Sequence, residues 1–220
     1  MIVVIQCAAR KRLDAGSLET RDGRRVLFVA DPSAAPTQDG LVYARPDDAG
    51  EGGRSWRDEL VAYNKSPDRN PLKLLPAFEL YQNEAYRRLA DKVGTQNLYI
   101  LSAGWGLVSA TFLTPSYDIT FTAQAEPYKK RRKGDHFNDL SMLTQDEREP
   151  ILFFGGKDYL PVFARLTGNV RSKRIVFFNS ALAPQIDGGR AIRFRTTTRT
   201  NWHYECADAF LSGALDHAIG

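Results

Sequence analysis

The amino-acid sequence predicts one α/β domain, with a mostly parallel central sheet flanked by helices, over all 220 residues. Two observations predict this class. Short, continuously apolar runs recur along the chain, as expected of strands that are buried on both faces. Helical patterns separate several of these runs, and strands that alternate with helices favour a parallel sheet. The hydrophobic content of 43% is ordinary for a folded globular protein.

The first third of the chain contains two predicted strands and a long insertion. Residues 1–5 are apolar and lack a preceding basic segment, so they predict a first strand and not a signal peptide. Residues 26–30 predict a second short strand. Residues 31–53 are rich in Pro, Gly, Ala and Asp and predict a long loop insertion, with a candidate strand at 41–44.

The middle of the chain carries two predicted helices and a strand. Ser55 is a suitable N-cap for a helix that ends near Tyr63. A longer helix is predicted from Pro76 to about Val93, because apolar residues recur there at steps of three or four. Residues 98–103 then form an unbroken apolar run that predicts a buried strand.

The last third repeats the alternation of strand and helix. Residues 122–141 are polar and basic and favour helix only weakly. Beyond them, strands are predicted at 151–154, 175–178 and 191–194, and helices at 158–166 and 204–219. Ligands of open α/β sheets bind beyond the carboxyl ends of the strands. The segments expected at this edge are 7–11, 104–106, 155–156 and 179–180.

Positive charge is concentrated in two stretches. The net charge is +4, and residues 129–133 are five consecutive cations. A second stretch, 190–203, contains four arginines and no acid. Clustered cations indicate a phosphate-bearing partner, although a solvated loop is the alternative. The predicted nucleic-acid contacts are Arg10, Lys11, Lys129, Lys130, Arg131, Arg132, Lys133, Arg193, Arg195 and Arg199.

The stretch YILSAGWGLVSATFLTPSYDITF, residues 99–121, supplies the predicted catalytic and base-binding groups. Glycines that follow a buried strand allow the backbone to approach a ligand, so Ser102, Gly104 and Gly106 are candidates for base binding. Trp105 is expected either to stack on a base or to fill the core. Asp118, next to the ring of Tyr117, could stabilise a sugar cation and orient a water molecule. The alternative is an aspartate that caps a turn.

Other residues carry side chains that suit base recognition or metal binding. Asn179 follows an apolar strand, and its amide can both donate to and accept from a base edge, although Asn is also common in turns. Asp135, His136 and Asp139 have the composition of a nuclease metal site but lack a recognised ligand spacing. Cys7 and Cys206 also fit no metal or redox spacing. No metal or cofactor is predicted.

Several blocks resemble an uncharacterised family of bacterial and phage domains that is described as similar to the YaaA peroxide-stress protein. The blocks are VVIQCAARK, LLPAFELYQNEAYRRL, YILSAGWGLV, TPSYDITF and FFGGKDYLPVFARL. The positions that match the pattern of the family are Cys7 and Lys11, Pro76 and Ala77, Leu80 and Tyr81, residues 99–103, Gly106 and Leu107, and Pro115, Tyr117 and Asp118. The chain departs from the family at Trp105, where Tyr or His is expected, and in its longer segment before Pro76.

The resemblance implies a YaaA-like or uracil-DNA-glycosylase-like fold, and some phage-defence glycosylases that remove modified cytosine look similar to this class. The expected function is therefore a metal-independent DNA glycosylase that leaves an abasic site, plausibly in antiviral defence. The expected protein is a cytoplasmic monomer that does not associate with a membrane. Its expected partner is double-stranded DNA, including modified phage DNA. The alternatives are a non-catalytic DNA-binding stress protein and a metal-dependent nuclease.

Overall fold

A computed structural model describes residues 1–66, 69–132, 134–198 and 200–220. Its helices are α1 (Trp56–Tyr63), α2 (Ala85–Val93), α3 (Leu160–Leu166), α4 (Trp202–Leu211) and α5 (Asp216–Ile219). Its strands are β1 (Ile2–Gln6), β2 (Leu18–Glu19), β3 (Arg25–Phe28), β4 (Leu41–Ala44), β5 (Leu75–Pro76), β6 (Leu98–Ser102), β7 (Gly106–Ser109), β8 (Leu113–Thr114), β9 (Leu140–Ser141), β10 (Ile151–Phe154), β11 (Arg174–Phe178) and β12 (Gly189–Arg193).

The central sheet has seven strands in the order β12-β11-β10-β1-β6-β7-β9. The five strands from β12 to β6 are mutually parallel. β7 runs antiparallel to β6 and closes a tight hairpin with it, and β9 pairs parallel with β7. The prediction of an α/β domain with a mostly parallel sheet is therefore confirmed.

The order of strands reverses direction beside β1. After β1 the chain crosses to β6 on one side, and it later returns to β10 on the other side before moving outward to β11 and β12. The connection that follows β1 and the connection that follows β10 thus lead to opposite sides of the sheet. Such a reversal opens a crevice at the carboxyl ends of the two strands, which is where doubly wound sheets bind ligands.

Helices cover the sheet and bury its apolar strands. α2 packs against β1, β6 and α4, while α3 packs against β7. All four residues of β10 and all five of β11 are buried. The continuous apolar runs in the sequence reflect this burial on both faces.

The segment 31–53 is more ordered than a plain loop. It contains a short 3-10 helix, Pro32–Ala34, and the strand β4, so the candidate strand at 41–44 is confirmed. β4 pairs parallel with β3, which also pairs with β2, in a separate three-stranded sheet. The segment is held against the rest of the molecule through Asp47, which accepts hydrogen bonds from Arg57 and from the N–H of Asn138.

The two longest helices predicted from the sequence are shorter in the structure. Pro76 belongs to β5, and its carbonyl accepts from the N–H groups of Glu79 and Leu80 in a tight turn, so the helix begins only at Ala85. The final helix is divided into α4 and α5 at Gly213, whose φ of 80° is incompatible with a right-handed helix. Among the residues described, no helix is long and apolar enough to cross a membrane.

Candidate functional site

A cavity of about 570 Å³ lies at the carboxyl edge of the sheet, at the reversal between β1 and β10. Gln6, Gly155 and Asn179 bring the ends of β1, β10 and β11 to its wall, and the first turn of α4 closes another side. Segment 121–124 forms a further part of the lining. The volume falls within the range of about 300–1,000 Å³ that is typical of small-molecule sites.

The cavity combines aromatic rings with polar groups. The rings of its phenylalanine, tyrosine and tryptophan residues are those of Phe121, Tyr159, Phe177, Phe178 and Trp202. Phe121 and Tyr159 meet edge to face, with ring centroids 4.9 Å apart. The polar lining includes Asn179, Lys157 and Asp158, all three of them exposed. This combination suits a flat, polar heterocycle, because rings cover its faces while amide and carboxylate groups reach its edges.

His203 is the least satisfied polar residue of the cavity wall. Its side chain is buried at 4% exposure, and its Nε2 atom has no hydrogen-bond partner among the described residues. Burial lowers the pKa of His203 to about 4, so the imidazole is neutral at physiological pH. A buried polar atom without a partner costs free energy. The Nε2 atom is itself buried, so a ligand in the open cavity would reach it only if the ring moved.

A second cavity of about 510 Å³ adjoins the first, since both are lined by Phe121 and Asp158. Its other lining residues are Arg131, Arg132, Asp135, His136, Phe137, Pro161, Val162 and Arg165. Asp158 therefore faces two neighbouring spaces, one lined by aromatic and polar residues and one rich in arginine.

The basic run at 129–133 is largely engaged within the protein, which corrects the expectation of a free phosphate-binding stretch. Lys129 pairs with Asp118 at 2.8 Å and with Glu126 at 2.5 Å, and these bonds raise its pKa well above the ordinary value. Lys130 donates to the carbonyl of Ala123. Arg132 is exposed, and the predicted contact Lys133 lies outside the described residues.

Arg131 is a buried structural cation. It makes two hydrogen bonds, of 2.8 and 2.7 Å, to the fully buried carboxylate of Asp139 and a third, of 2.8 Å, to the carbonyl of Ala103. Its guanidinium also lies 4.0 Å from the ring centroid of Phe137. A cation held in this way positions the chain around the cavities, and it is not available to a phosphate backbone.

The second basic stretch is divided between internal and external roles. Arg193 donates to the carbonyls of Ser180 and Ala181 and so holds the loop that follows β11. Arg10 and Arg195 are exposed, as a nucleic-acid contact requires. The predicted contact Arg199 lies outside the part of the chain that the structure describes.

Trp105 fills the core, which was the alternative expectation for it. Its indole has 0% exposure and packs 4.9 Å from the ring of Phe28, so in this conformation it cannot stack on a base. The carbonyls of Gly104 and Trp105 accept from Arg57, a buried residue that pairs with Asp47. Gly106 has a φ of 90°, and a Cβ there would overlap the backbone of Leu140. Gly106 is therefore required for packing, and the N–H of Gly104 is bonded to Ser102 Oγ, so in this structure neither buried glycine is presented to a base.

Tyr117 and Ser102 belong to a buried hydrogen-bonded cluster. Ser102 Oγ donates to Tyr117 Oη at 2.8 Å and accepts from the N–H groups of Gly104 and Trp105. Tyr117 Oη also lies 2.9 Å from Tyr81 Oη. Burial raises the pKa of Tyr117 well above its ordinary value, so the phenol stays neutral. The predicted base-binding Ser102 therefore acts on Tyr117 and the turn.

Asp118 and Lys11 lie close to this cluster at the edge of the sheet. The N–H of Asp118 donates to the carbonyl of Phe28, and its partly exposed carboxylate pairs with Lys129. Lys11 Nζ is 4.0 Å from the ring centroid of Tyr117. Burial lowers the pKa of Lys11, while Cys7 and Asp118 oppose that shift. Asp118 is absent from the described lining of both cavities.

The residues proposed for a nuclease metal site do not converge. Asp139 is bound by Arg131 and Arg165, and Asp135 accepts from the N–H of Arg132. Within the described part of the chain, no group of three or more His, Cys, Asp or Glu side chains is arranged to hold a metal ion. Cys7 and Cys206 are both buried and free, and Cys7 Sγ lies 3.2 Å from Tyr159 Oη.

Sequence reasoning missed most of the cavity. The sequence predicts a base-binding role for Asn179 but none for the other lining residues Phe121, Asp158, Tyr159 and His203. Asp158 and Tyr159 directly follow the Gly155-Gly156 turn at the carboxyl end of β10, and this position could have identified them. His203 gives no such signal, because only folding brings the start of α4 to the edge of the sheet.

Comparison with protein families shows which family the chain belongs to. Residues 63–180, more than half of the chain, match the model of a family of unknown function, DUF6884. The chain belongs to this family. The matched region includes Asp118, Asp158 and Asn179, whereas β1 and α4 lie outside it. Neither the curated proteins nor the solved structures include a significant match to the chain.

Proposed function

We propose that the protein is an N-glycosylase that removes a modified base, such as a modified cytosine, from DNA. The observation that carries this proposal is the cavity at the reversal of the sheet, where aromatic rings, the amide of Asn179 and the carboxylate of Asp158 line one space. The function is argued from this site, because a fold alone does not determine an activity.

The first step would be extrusion of the target nucleotide from the duplex, since its base cannot be reached inside the stack. Phe121, Tyr159 and Trp202 offer ring surfaces for the extruded base. Asn179 can donate to and accept from the edge of that base with one amide. Among the predicted contacts that the structure describes, the exposed cations Arg10, Arg132 and Arg195 are the candidates for contact with the DNA backbone.

The chemical step would be hydrolysis of the bond between the base nitrogen and sugar C1′. As that bond breaks, its electron pair leaves with the base, and positive charge develops on the sugar. Asp158 would stabilise this charge and accept a proton from the water whose oxygen bonds to C1′. The departing base takes up a proton, so water is the sole co-substrate. Asp118 remains the competing carboxylate, as predicted from the sequence.

The resemblance to the YaaA-like family gives this proposal a second support. A YaaA-like or uracil-DNA-glycosylase-like fold would have a central parallel sheet with its site at the carboxyl ends of the strands. The sheet described here is compatible with that arrangement. The wide cavity also leaves room for a base that carries a substituent.

The test is base release from phage DNA that contains modified cytosine, compared with unmodified DNA of the same sequence. Free bases are identified by mass spectrometry, and abasic sites are counted in the treated DNA. We expect Asp158→Asn to lose at least about 100-fold in rate, because general acid–base catalysis contributes about 10²- to 10⁴-fold. Asp118→Asn should lose less than about tenfold, and Asp91→Asn, on the exposed side of α2, should match the wild type.

The relative loss in the two variants decides between the carboxylates. A large loss in Asp118→Asn with full activity in Asp158→Asn would return the catalytic role to Asp118. Salt-dependent DNA binding without base release from any substrate would favour the non-catalytic alternative. Activity that requires an added divalent ion would point to a nuclease instead.

A further inference from the structure

Lys11 carries an amine that the proposed hydrolysis does not use. It lies in the loop that follows the carboxyl end of β1. This loop is held against the segment that precedes α2, because the N–H of Arg12 donates to the carbonyl of Leu80 at 2.8 Å. The side-chain amide of Gln82 donates to the carbonyl of Lys11 itself at 3.0 Å. The backbone of Lys11 is therefore fixed at the edge of the sheet.

The amine of Lys11 is unpaired and open to solvent. Its Nζ lies 4.0 Å from the ring centroid of Tyr117. None of the described residues forms a hydrogen bond or an ion pair with this atom, whereas Lys129 is bound by Asp118 and Glu126. Lys11 is half-buried, and its Nζ does not belong to the fully buried polar atoms that lack a partner in the described chain. A small reactive group can therefore approach the amine.

The surroundings of Lys11 favour a neutral amine. Burial lowers the pKa of Lys11, and the positive charge of Lys129 lowers it as well, while Cys7 and Asp118 act in the opposite direction. A neutral amine has a free electron pair and can attack a carbonyl carbon, which an ammonium group cannot do. Desolvation and a neighbouring cation are two ways in which proteins activate a lysine for imine formation.

Lys11 is also a neighbour of the large cavity. Cys7, at the start of the same loop, has its Sγ 3.2 Å from Tyr159 Oη, and Tyr159 lines the cavity. Tyr117, whose ring contacts the amine, precedes the lining residue Phe121 by four residues, a span of at most about 15 Å. The amine therefore lies beside the cavity and outside its described lining.

We propose that Lys11 is a nucleophile that forms an imine with the aldehyde of an abasic site in DNA and so cuts the strand at that site. The inference rests on the proposed function, because an abasic site is the product of the proposed hydrolysis. In the ring-opened form of the abasic sugar, C1′ is an aldehyde carbon, which is the type of carbon that a neutral amine attacks. The protein would then be a glycosylase with an added lyase activity.

The reaction needs no oxidant, reductant or metal ion. The electron pair of Nζ bonds to C1′, and the carbonyl oxygen leaves as water with the two protons of the amine. A proton is then lost from C2′, the bond between C3′ and its oxygen breaks, and the electron pair leaves with the 3′-phosphate. Asp118, whose charge acts on Lys11, is the candidate base for the C2′ proton. Water finally hydrolyses the imine, which restores the amine and releases an unsaturated aldehyde.

The first experiment uses a DNA duplex in which one abasic site has been prepared beforehand, so its result does not depend on base release by this protein. Protein and DNA are mixed with sodium borohydride, which reduces an imine to a stable secondary amine, in the presence of a chelator. We expect a covalent adduct with this duplex and none with a duplex that contains a tetrahydrofuran analogue, which lacks the aldehyde. No adduct, or equal amounts with both duplexes, would overturn the proposal.

The second experiment identifies the amine. Mass spectrometry of the digested wild-type adduct should find the sugar on the peptide that contains Lys11. An adduct on Lys157, the amine exposed on the wall of the large cavity, or on many surface lysines would refute the assignment.

A matched pair of variants gives an independent check of the same amine. Lys11→Arg keeps the positive charge but cannot form the imine, so it should lose both the adduct and the strand cleavage. Lys92→Arg, on the exposed side of α2, should keep both. An undiminished adduct in folded Lys11→Arg would contradict the proposal. The peptide assignment is made on the wild type, so it decides the question even where Lys11→Arg does not fold.

The same substrates separate this inference from the proposed function. Trapping on the prepared abasic duplex, without base release from modified DNA, would keep Lys11 as a nucleophile and remove the glycosylase. Base release from modified DNA, without trapping on the abasic duplex, would keep the glycosylase and remove the imine.

Discussion

The two sides of β1 differ sharply at the carboxyl edge of the sheet. On the β6 side, Trp105 and Tyr117 are buried, and Asp118 is paired with Lys129. On the β10 side, a cavity of about 570 Å³ is lined by the exposed polar groups Asn179 and Asp158. Residues 102–118, which supply most of the catalytic and base-binding residues predicted from the sequence, therefore form the closed side, whereas Asn179 is the one of those residues on the open side.

The closed side has a positioning role for the open side. Arg131 joins Ala103 and Asp139, and its guanidinium is 5.3 Å from the ring centroid of Phe121, which lines both cavities. Chain 117–124 passes from the buried tyrosine cluster to the cavity wall. Distinctive residues can thus be needed to place a site without touching its ligand.

The largest expected effect is on the closed side, in Asp139→Ala. Removing this fully buried carboxylate leaves Arg131 buried without its partner, and breaking such a pair costs about 3–5 kcal/mol. Denaturant unfolding would measure the loss. Asp208→Ala, which breaks the exposed pair with Arg88, is the control and should cost no more than about 1 kcal/mol. Equal losses of unfolding free energy in the two variants would contradict a stabilising role of the buried Arg131–Asp139 pair on the closed side.

The next effect concerns pH on the open side. The pKa of His203 is lowered from 6.5 to about 4, so between those values the unfolded chain binds a proton that the folded protein does not. The free energy of unfolding should therefore fall by about 3 kcal/mol as pH drops from 6.5 to 4, with no contribution above 6.5. His203→Phe should flatten this part of the profile, and His217→Gln should keep it. If the pH profile of stability is the same in the wild type and in His203→Phe, the lowered pKa of His203 is not the cause of the pH dependence.

The smallest expected effect is the difference in stability loss between two substitutions, one on the closed side and one on the open side. Tyr117→Phe removes a hydroxyl that bonds Ser102 and Tyr81 in the core, so it should cost about 1–2 kcal/mol. Asn179→Ala changes an exposed residue and should stay within about 0.5 kcal/mol. If base release is observed, the order should reverse in activity, because Asn179 lines the cavity. A larger loss of stability in Asn179→Ala than in Tyr117→Phe would contradict the distinction between a closed, packed side and an open side.

The sequence by itself determined the class of fold and most of its central elements. Continuous apolar runs locate β1, β6, β10 and β11, because a strand buried on both faces leaves little choice of residue. Ser55 also marks the start of α1, where its side chain accepts from the N–H of Asp58. These signals are local and can be read from neighbouring residues.

Only the tertiary structure decided which polar groups face a ligand. The two-residue strands β5 and β8 form by pairing with each other although they are far apart in sequence, and residue periodicity does not reveal such pairing. Arg131 and Lys129 look like free cations in the sequence until Asp139 and Asp118 are brought beside them. His203 becomes part of the cavity only when α4 packs onto the sheet. Whether a charge or an imidazole is satisfied depends on partners distant in sequence, so folding, and not local pattern, selects the site.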